Sequence, residues 1–228
     1  MPFVRKAHRT MPQIDIAGII QEIIIIVPGF LLAITVHEFA HGYVAYRLGD
    51  PTAKLAGRLT FNPLSHLDFV GTLALVLMKI GWAKPVPVDP RNLRNPKTDM
   101  LWISLGGPAA NLVAAAVLAL IIHILVFTFQ GRPLGEFGEF ILRPMFRILL
   151  GGVQMNILLA VFNLIPVPPL DGFGILTGLL PSQQAYRLEQ LQPYGFIILV
   201  LLLVSGAVGY IIVPPMRFIQ NILLAGLG

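Results

Sequence analysis

The sequence predicts an all-α membrane protein: a bundle of about four to six transmembrane helices with one short re-entrant or extended segment. Hydrophobic residues make up 56% of the 228 residues and charged residues only 12%, against roughly 25% charged residues in soluble domains. Several apolar runs also reach the length of about 20 residues that a helix needs to cross the lipid bilayer. We expect a single membrane-embedded domain over residues 1–228, with its main motifs in 16–180 and accessory C-terminal helices in 194–228.

The predicted spanning helices are the long apolar runs. In chain order they are Ile16–Tyr46, Leu101–Phe129, Arg147–Ile165 and Tyr194–Val213. Proline clusters follow the last two runs directly, and we expect them to end those helices because a proline lacks the amide hydrogen. Two runs, Phe69–Ile80 and Met216–Leu227, have about a dozen residues each, which is too short for an ordinary crossing. We therefore expect Phe69–Ile80 to be re-entrant or to lie along the interface.

The connection Gly81–Pro90 carries prolines at positions 85, 87 and 90. No helix could include so many prolines, and the partly alternating pattern predicts an extended edge strand or loop.

Charge and cysteine content exclude several functional classes. Sixteen Lys and Arg against eleven Asp and Glu give a net charge of +5. These charges are scattered through short loops, which favours a role in membrane orientation over nucleic-acid binding. The absence of cysteine excludes a disulfide framework, a thiol nucleophile and cysteine metal ligands.

The first apolar run contains the motif His37-Glu-Phe-Ala-His41. Histidines at i and i+4 lie on one face of a helix, so both imidazoles can reach one metal ion. Glu38 stands beside them as a general base, as in zinc metalloproteases. Ionisable groups inside a spanning segment are costly and mark function, and we therefore predict a metal site here.

A catalytic zinc site takes three protein ligands and leaves one position for water. Asp171 is the first candidate for the third ligand, because it follows an apolar helix and precedes Gly172, which allows a tight turn. The alternative for Asp171 is a simple Asp-Gly turn that ends a helix. His66 and Asp68 are the alternative candidates for the third ligand. They could instead line the site or cap the short helix that follows them.

Three motifs in this order resemble the site-2 protease family of intramembrane zinc metalloproteases. They are the HExxH motif in a membrane helix, Gly106-Gly-Pro-Ala-Ala-Asn111 at the head of a later helix, and Asn163-Leu-Ile-Pro-Val-Pro-Pro-Leu-Asp-Gly172 in a third. The match covers roughly residues 16–180. Many members have a second glycine directly after the first, where this chain has Phe173. The chain resembles the minimal, core-only members, since we find no space in it for a PDZ or CBS module.

The resemblance implies roles for individual residues. It makes His37 and His41 ligands of Zn²⁺, Asp171 the third ligand and Glu38 the catalytic base. It also implies that Asn163 holds the backbone of the substrate.

The residues of the second motif have chemistry that indicates their roles. Gly106 and Gly107 are small residues that favour close packing of helices. The buried amide of Asn111 must find partners: it could orient a ligand or substrate, or form an interhelical hydrogen bond.

The shared site predicts the topology. The C-terminal ends of the first and third helices and the start of the second must lie on one side of the membrane, so residues 47–100 begin and end there. Loops on that side carry nine Lys and Arg, against six on the other. The positive-inside rule then places the site on the cytoplasmic side of a plasma or inner cell membrane.

These features predict an intramembrane zinc metalloprotease that cleaves single-span membrane proteins or leftover signal segments within or near their transmembrane parts. Peptide hydrolysis needs water, so the ligands must line a hydrated cavity. An exposed edge at Gly81–Pro90 could hold an extended substrate by β-addition. Two alternatives are a catalytically inactive metal-binding scaffold and, less favoured, a metal transporter. The sequence does not define the oligomeric state.

Overall fold

The computed structural model describes residues 16–71, 82–131 and 135–227. Within these ranges the protein is helical and contains no named strand. The main helices are α1 (Ile16–Leu48), α2 (Pro96–Phe129), α3 (Arg143–Asn163), α4 (Asp171–Leu179), α5 (Ser182–Glu189), α6 (Gly195–Val204) and α7 (Ala207–Leu223). The all-α polytopic membrane fold predicted from the apolar runs is therefore confirmed.

Four segments of the described chain are long and apolar enough to cross a membrane. They are Ile23–Leu48, Pro96–Phe129, Gly138–Asn163 and Ser182–Val204. The first three belong to helices predicted from the sequence, with ends that differ by a few residues. The segment Gly138–Leu142, which leads into α3, is π-helical.

Helices α1, α2 and α3 pack against one another and form the centre of the bundle. Small residues permit their close approach: a Cβ atom added at Gly29 of α1 would lie 2.8 Å from the Cα atom of Gly152 in α3. The apolar core continues between α2, α3 and α7, where Ala115, Ile157 and Ile212 are buried. The helices at the centre of the bundle are therefore helices that carry the sequence motifs.

The prediction of one helix over Tyr194–Val213 that ends at the proline pair is wrong. The break falls at Gly206, whose φ of +75° suits glycine and is typical of a helix end. A new helix, α7, then continues through Pro214 and Pro215, as membrane helices tolerate. The predicted short run Met216–Leu227 is therefore mostly the second half of α7.

The predicted re-entrant segment Phe69–Ile80 lies largely outside the described residues, which resume at Trp82. The described residues on either side of it, Leu67 and Ala83, lie next to each other. Leu67 and Ala83 form an antiparallel bridge, and Lys84 N–H donates to the His66 carbonyl at 2.9 Å. The chain therefore returns beside the point from which it left. Residues 82–89 contain no helix, as their prolines predicted.

Candidate metal centre

Three potential metal ligands meet where α1 and α4 approach each other. His37 and His41 lie one turn apart on α1, and Asp171 is the first residue of α4. The two Nε2 atoms are 3.0 Å apart. Asp171 Oδ2 lies 3.1 Å from His37 Nε2, and Asp171 Oδ1 lies 3.3 Å from His41 Nε2. Within the described chain, this is the group whose geometry could hold a metal ion.

The hydrogen bonds on the far side of each imidazole determine which nitrogen faces the group. His41 Nδ1 lies 2.7 Å from the Ile103 carbonyl, and His37 Nδ1 lies 2.6 Å from Asn111 Oδ1. Both oxygens can only accept, so each Nδ1 carries the hydrogen and each neutral Nε2 presents a lone pair. Lone pairs from both histidines therefore point at each other and at a carboxylate.

This arrangement fits a bound cation and is unfavourable without one. Asp171 Oδ2 is buried and has no hydrogen-bond donor, and a buried carboxylate oxygen needs a compensating partner. Ligands at about 2.0–2.2 Å around a tetrahedral zinc lie roughly 3.3–3.6 Å apart. The observed separations of 3.0, 3.1 and 3.3 Å are close to that spacing. Two imidazoles and a carboxylate are also donors that zinc accepts.

Gly107 of α2 makes room for the two imidazoles. A Cβ atom at this position would lie 2.6 Å from His37 Cε1 and 2.7 Å from His37 Nε2, and closer still to His41 Nε2. At neighbouring Gly106 the nearest atom would be Val44 Cγ2 at 3.1 Å, on α1. Gly106 therefore serves helix packing, as predicted, whereas Gly107 also determines whether the ligands fit.

Gly172 brings Asp171 into position. Seven residues separate α3 from Asp171, and they fold back so that a Cβ atom at Gly172 would lie 2.5 Å from the Leu164 carbonyl carbon and 2.6 Å from the Ile165 oxygen. Gly172 is helical and begins α4 together with Asp171. The glycine is therefore required by close backbone contact, and the expected tight Asp-Gly turn is absent.

Glu38 is buried beside the metal group and is held by the extended segment 82–89. The Val86 amide donates to Glu38 Oε2 at 2.8 Å. The Glu38 carboxylate is thus oriented by a backbone group that is 48 residues away in the sequence.

Polar side chains anchor the extended segment at both ends. Arg58 Nη2 donates to the Lys84 carbonyl at 2.6 Å. At the other end, the Asp89 amide donates to Asp50 Oδ2 at 2.8 Å, and Thr52 and Asn92 donate to Asp50 Oδ1. These contacts fix the segment relative to α1, and with it the Val86 amide.

The pKa values of the Asp50 and Asp89 carboxyls are both lowered. Burial disfavours the charged form of Asp50, but the hydrogen bonds from Thr52, Asn92 and the Asp89 amide outweigh burial and lower its pKa. Hydrogen bonds from the Arg91 side chain and amide lower the pKa of Asp89 to about 2. Both groups are therefore ionised at neutral pH.

His66 and Asp68 are not part of the metal group. His66 is fully buried, and its Nε2 lies 2.8 Å from the Thr60 carbonyl. Asp68 Oδ1 accepts from the Gly71 amide at 2.7 Å, which is the capping role that the sequence allowed for it. Asn163 is the last residue of α3, and its Nδ2 donates to the Leu159 carbonyl at 3.0 Å in the same helix.

Two contacts that shape the site are not predicted by the sequence. One is the Val86 amide on Glu38. The other is Asn156 of α3, which is fully buried and accepts a hydrogen bond from Asn111. The prolines predict that the segment containing Val86 is extended. No feature of the sequence indicates that Val86 contacts Glu38 or that Asn156 contacts Asn111.

The apolar helical bundle and the His–His–Asp group together indicate a membrane protein with a candidate metal site. The chain is 37% identical to "Putative zinc metalloprotease YwhC" of Bacillus subtilis, over 82% of this chain and 83% of that protein. It is 32% identical to "Putative zinc metalloprotease Rip2" of Mycolicibacterium smegmatis, over 81% and 68%. It is 26% identical to Rip2 of Mycobacterium tuberculosis, over 87% and 73%. No family model and no solved structure matches the chain.

The chain therefore belongs to the site-2 protease family of zinc metalloproteases. Zn²⁺ is the metal that these relatives indicate, and the His37, His41 and Asp171 group has the donor set to bind it.

Proposed function

We propose that the protein is an intramembrane zinc metalloprotease that hydrolyses peptide bonds within or near the transmembrane segments of single-span membrane proteins. The observation that carries the proposal is the position of the donor group. His37 and His41 belong to a candidate membrane span, and Asp171 completes the group within 3.3 Å of both. A metal site between apolar helices suits a substrate that is itself a membrane segment. The catalytic domain in this proposal comprises residues 1–228.

In this proposal His37, His41 and Asp171 hold the zinc. The zinc, when bound, supplies an activated water of lowered pKa and polarises the scissile carbonyl. Glu38 is the general base: it takes a proton from the attacking water and passes it to the leaving amine. The Val86 amide fixes one carboxylate oxygen of Glu38 and leaves the other oxygen for this transfer.

The substrate must be locally extended, because a helix hides its carbonyls in hydrogen bonds. Segment 82–89 is the proposed docking edge, by β-addition. Pro85 and Pro87 have no N–H, so an added strand would find only carbonyl acceptors at these two positions. Asn163, at the end of α3, is proposed to hold the backbone of the substrate. Asn111 is buried under His37 and is proposed to orient this ligand rather than to touch the substrate.

The two alternatives predict different chemistry. A metal-binding scaffold needs no general base, yet Glu38 is present and is oriented by a dedicated amide contact. A metal transporter would carry further ligand groups along its path, and the described part of the chain shows the one group at His37, His41 and Asp171. Both considerations favour the protease.

The test is cleavage by the purified protein, reconstituted in liposomes with a panel of single-span membrane proteins. Wild type and Glu38→Gln are compared, because glutamine can still accept from the Val86 amide. We expect Glu38→Gln to keep one zinc per chain and to lose cleavage. Glu139→Gln is the matched control, since Glu139 is exposed and pairs with Arg143, outside the metal group. Equal cleavage by wild type and Glu38→Gln would refute the proposed mechanism.

We further propose that the protein lies in the plasma or inner cell membrane with the site open to the cytoplasm. The chain has no cysteine, so single cysteines report topology without background. A membrane-impermeant thiol reagent added outside cells should label a cysteine at position 134 and miss cysteines at 54 and 94. Labelling at 54 with protection at 94 would contradict this arrangement.

A further inference from the structure

Asn156 of α3 lies on a chain of hydrogen bonds that leads to His37. Asn156 and Asn111 are both fully buried, and His37 is 6% exposed. We propose that Asn156 is a positioning residue: through Asn111 it holds the His37 ring with its Nε2 lone pair toward the zinc. The proposal rests on the proposed function, because it assumes that His37 is a ligand.

The direction of each hydrogen bond follows from two backbone carbonyls that can only accept. Asn156 Nδ2 donates to the Gly152 carbonyl at 2.8 Å, which leaves Asn156 Oδ1 as an acceptor. Asn111 Nδ2 donates to that oxygen at 2.9 Å and to the Ala33 carbonyl at 2.9 Å. Both hydrogens of the Asn111 amide are then used.

Asn111 Oδ1 is therefore the atom that faces His37 Nδ1, at 2.6 Å. Because this oxygen can only accept, the hydrogen of a neutral His37 must sit on Nδ1 and the lone pair on Nε2. If the Asn111 amide turned over, its NH₂ group would face Nδ1, and the hydrogen would move to Nε2. A protonated Nε2 cannot bind a metal ion.

The two histidines are supported in different ways. His41 Nδ1 donates to the Ile103 carbonyl, a backbone group of α2 that cannot turn over. His37 donates to a side-chain amide that can. Asn156 supplies one of the two acceptors that distinguish the two orientations of Asn111. Partners of this kind usually change metal affinity 10- to 100-fold when they are removed.

The test is the zinc affinity of the purified full-length protein, measured in detergent by competition with a chelator. Asn156→Leu removes both hydrogen bonds and keeps the number and branching of the side-chain heavy atoms, and we expect its zinc affinity to fall by about 10- to 100-fold. Asn156→Asp should bind within about threefold of wild type, because a buried neutral carboxyl can donate to the Gly152 carbonyl and accept from Asn111. If Asn156→Leu does not fold, Asn156→Ala is measured in its place.

His123→Leu is the control for a general loss of buried polar contacts. His123 Nε2 lies 2.9 Å from the Leu223 carbonyl and links α2 to α7 away from the metal group. We expect this variant to keep wild-type zinc affinity. Thermal unfolding of the zinc-free proteins shows whether Asn156 acts only on the fold. Such a role would lower the unfolding temperature of Asn156→Leu and leave its zinc affinity unchanged.

The outcomes separate the two proposals. If wild type binds no zinc, the proposed function fails, and this inference fails with it. If wild type binds zinc and Asn156→Leu (or Asn156→Ala) stays within threefold of wild type, the inference is wrong and the proposed function stands. An equal loss of affinity in Asn156→Asp and Asn156→Leu would also overturn it, because Asp retains the acceptor for Asn111.

Discussion

A single methyl group added to α2 should separate metal binding from folding. Gly107→Ala places a Cβ atom 2.6 Å from His37 Cε1, whereas ordinary contact begins at 3.4 Å. The ring must therefore move by about 0.8 Å, or α2 must withdraw by a similar distance. Metal ligands tolerate only about 0.2 Å, so we expect zinc affinity to fall by at least about 100-fold. This is about 2.8 kcal/mol, at 1.4 kcal/mol for each factor of ten.

Gly106→Ala is the matched control in the same turn of α2. Its Cβ atom would contact Val44 Cγ2 at 3.1 Å, a side-chain atom that can shift by a few tenths of an ångström. Alanine is the better helix former by up to about 1 kcal/mol, so neither variant is expected to lose α2. Zinc affinity is measured by chelator competition and helix content by circular dichroism. Wild-type zinc affinity in Gly107→Ala would refute the account of the ligand geometry.

Three further variants test other parts of the structure. Asp171→Ala should lose zinc, while His66→Gln should keep it, because glutamine can still donate to the Thr60 carbonyl; metal analysis showing the reverse would transfer the third-ligand role to His66. Gly172→Ala should lower the unfolding temperature and the zinc content together, because its Cβ atom would lie 2.5 Å from the Leu164 carbonyl carbon; unchanged values of both would contradict this. The pKa of Asp50 is lowered in the folded protein. Its ionised carboxylate therefore stabilises the fold fully above the unfolded-state pKa near 3.9, and this stabilisation is lost as the pH falls through the folded-state pKa. Asp50→Asn should therefore destabilise the protein at pH 7 by about 1–3 kcal/mol and flatten the acid limb of its stability curve; an acid limb identical to that of wild type would refute the role of Asp50.

The features that the sequence predicts well depend on residues close together along the chain. Long apolar runs indicate α1, α2 and α3 because crossing a bilayer requires length and hydropathy. The i, i+4 spacing of His37 and His41 places them together on any helix. Neither the apolar runs nor this spacing depends on how the helices pack.

The remaining features depend on contacts between distant segments. Gly106 and Gly107 look alike in the sequence, and only the crossing of α1 and α2 gives Gly107 its contact with the imidazoles. Asn156 reads as an isolated amide until α3 is placed beside Asn111. The break before α7 was predicted at the wrong residue. The proline pair is the stronger helix-ending signal in the sequence, but Gly206 adopts the left-handed conformation and the helix ends there, before the prolines.

X-ray absorption at the zinc edge of the purified protein tests the central claim most directly. The account predicts one zinc per chain, with two imidazole nitrogens near 2.0–2.1 Å and carboxylate or water oxygens near 2.0–2.2 Å. Imidazole scattering should disappear or weaken in His37→Ala. A zinc shell without imidazole scattering in wild type, or a spectrum unchanged in His37→Ala, would contradict the assignment of this site.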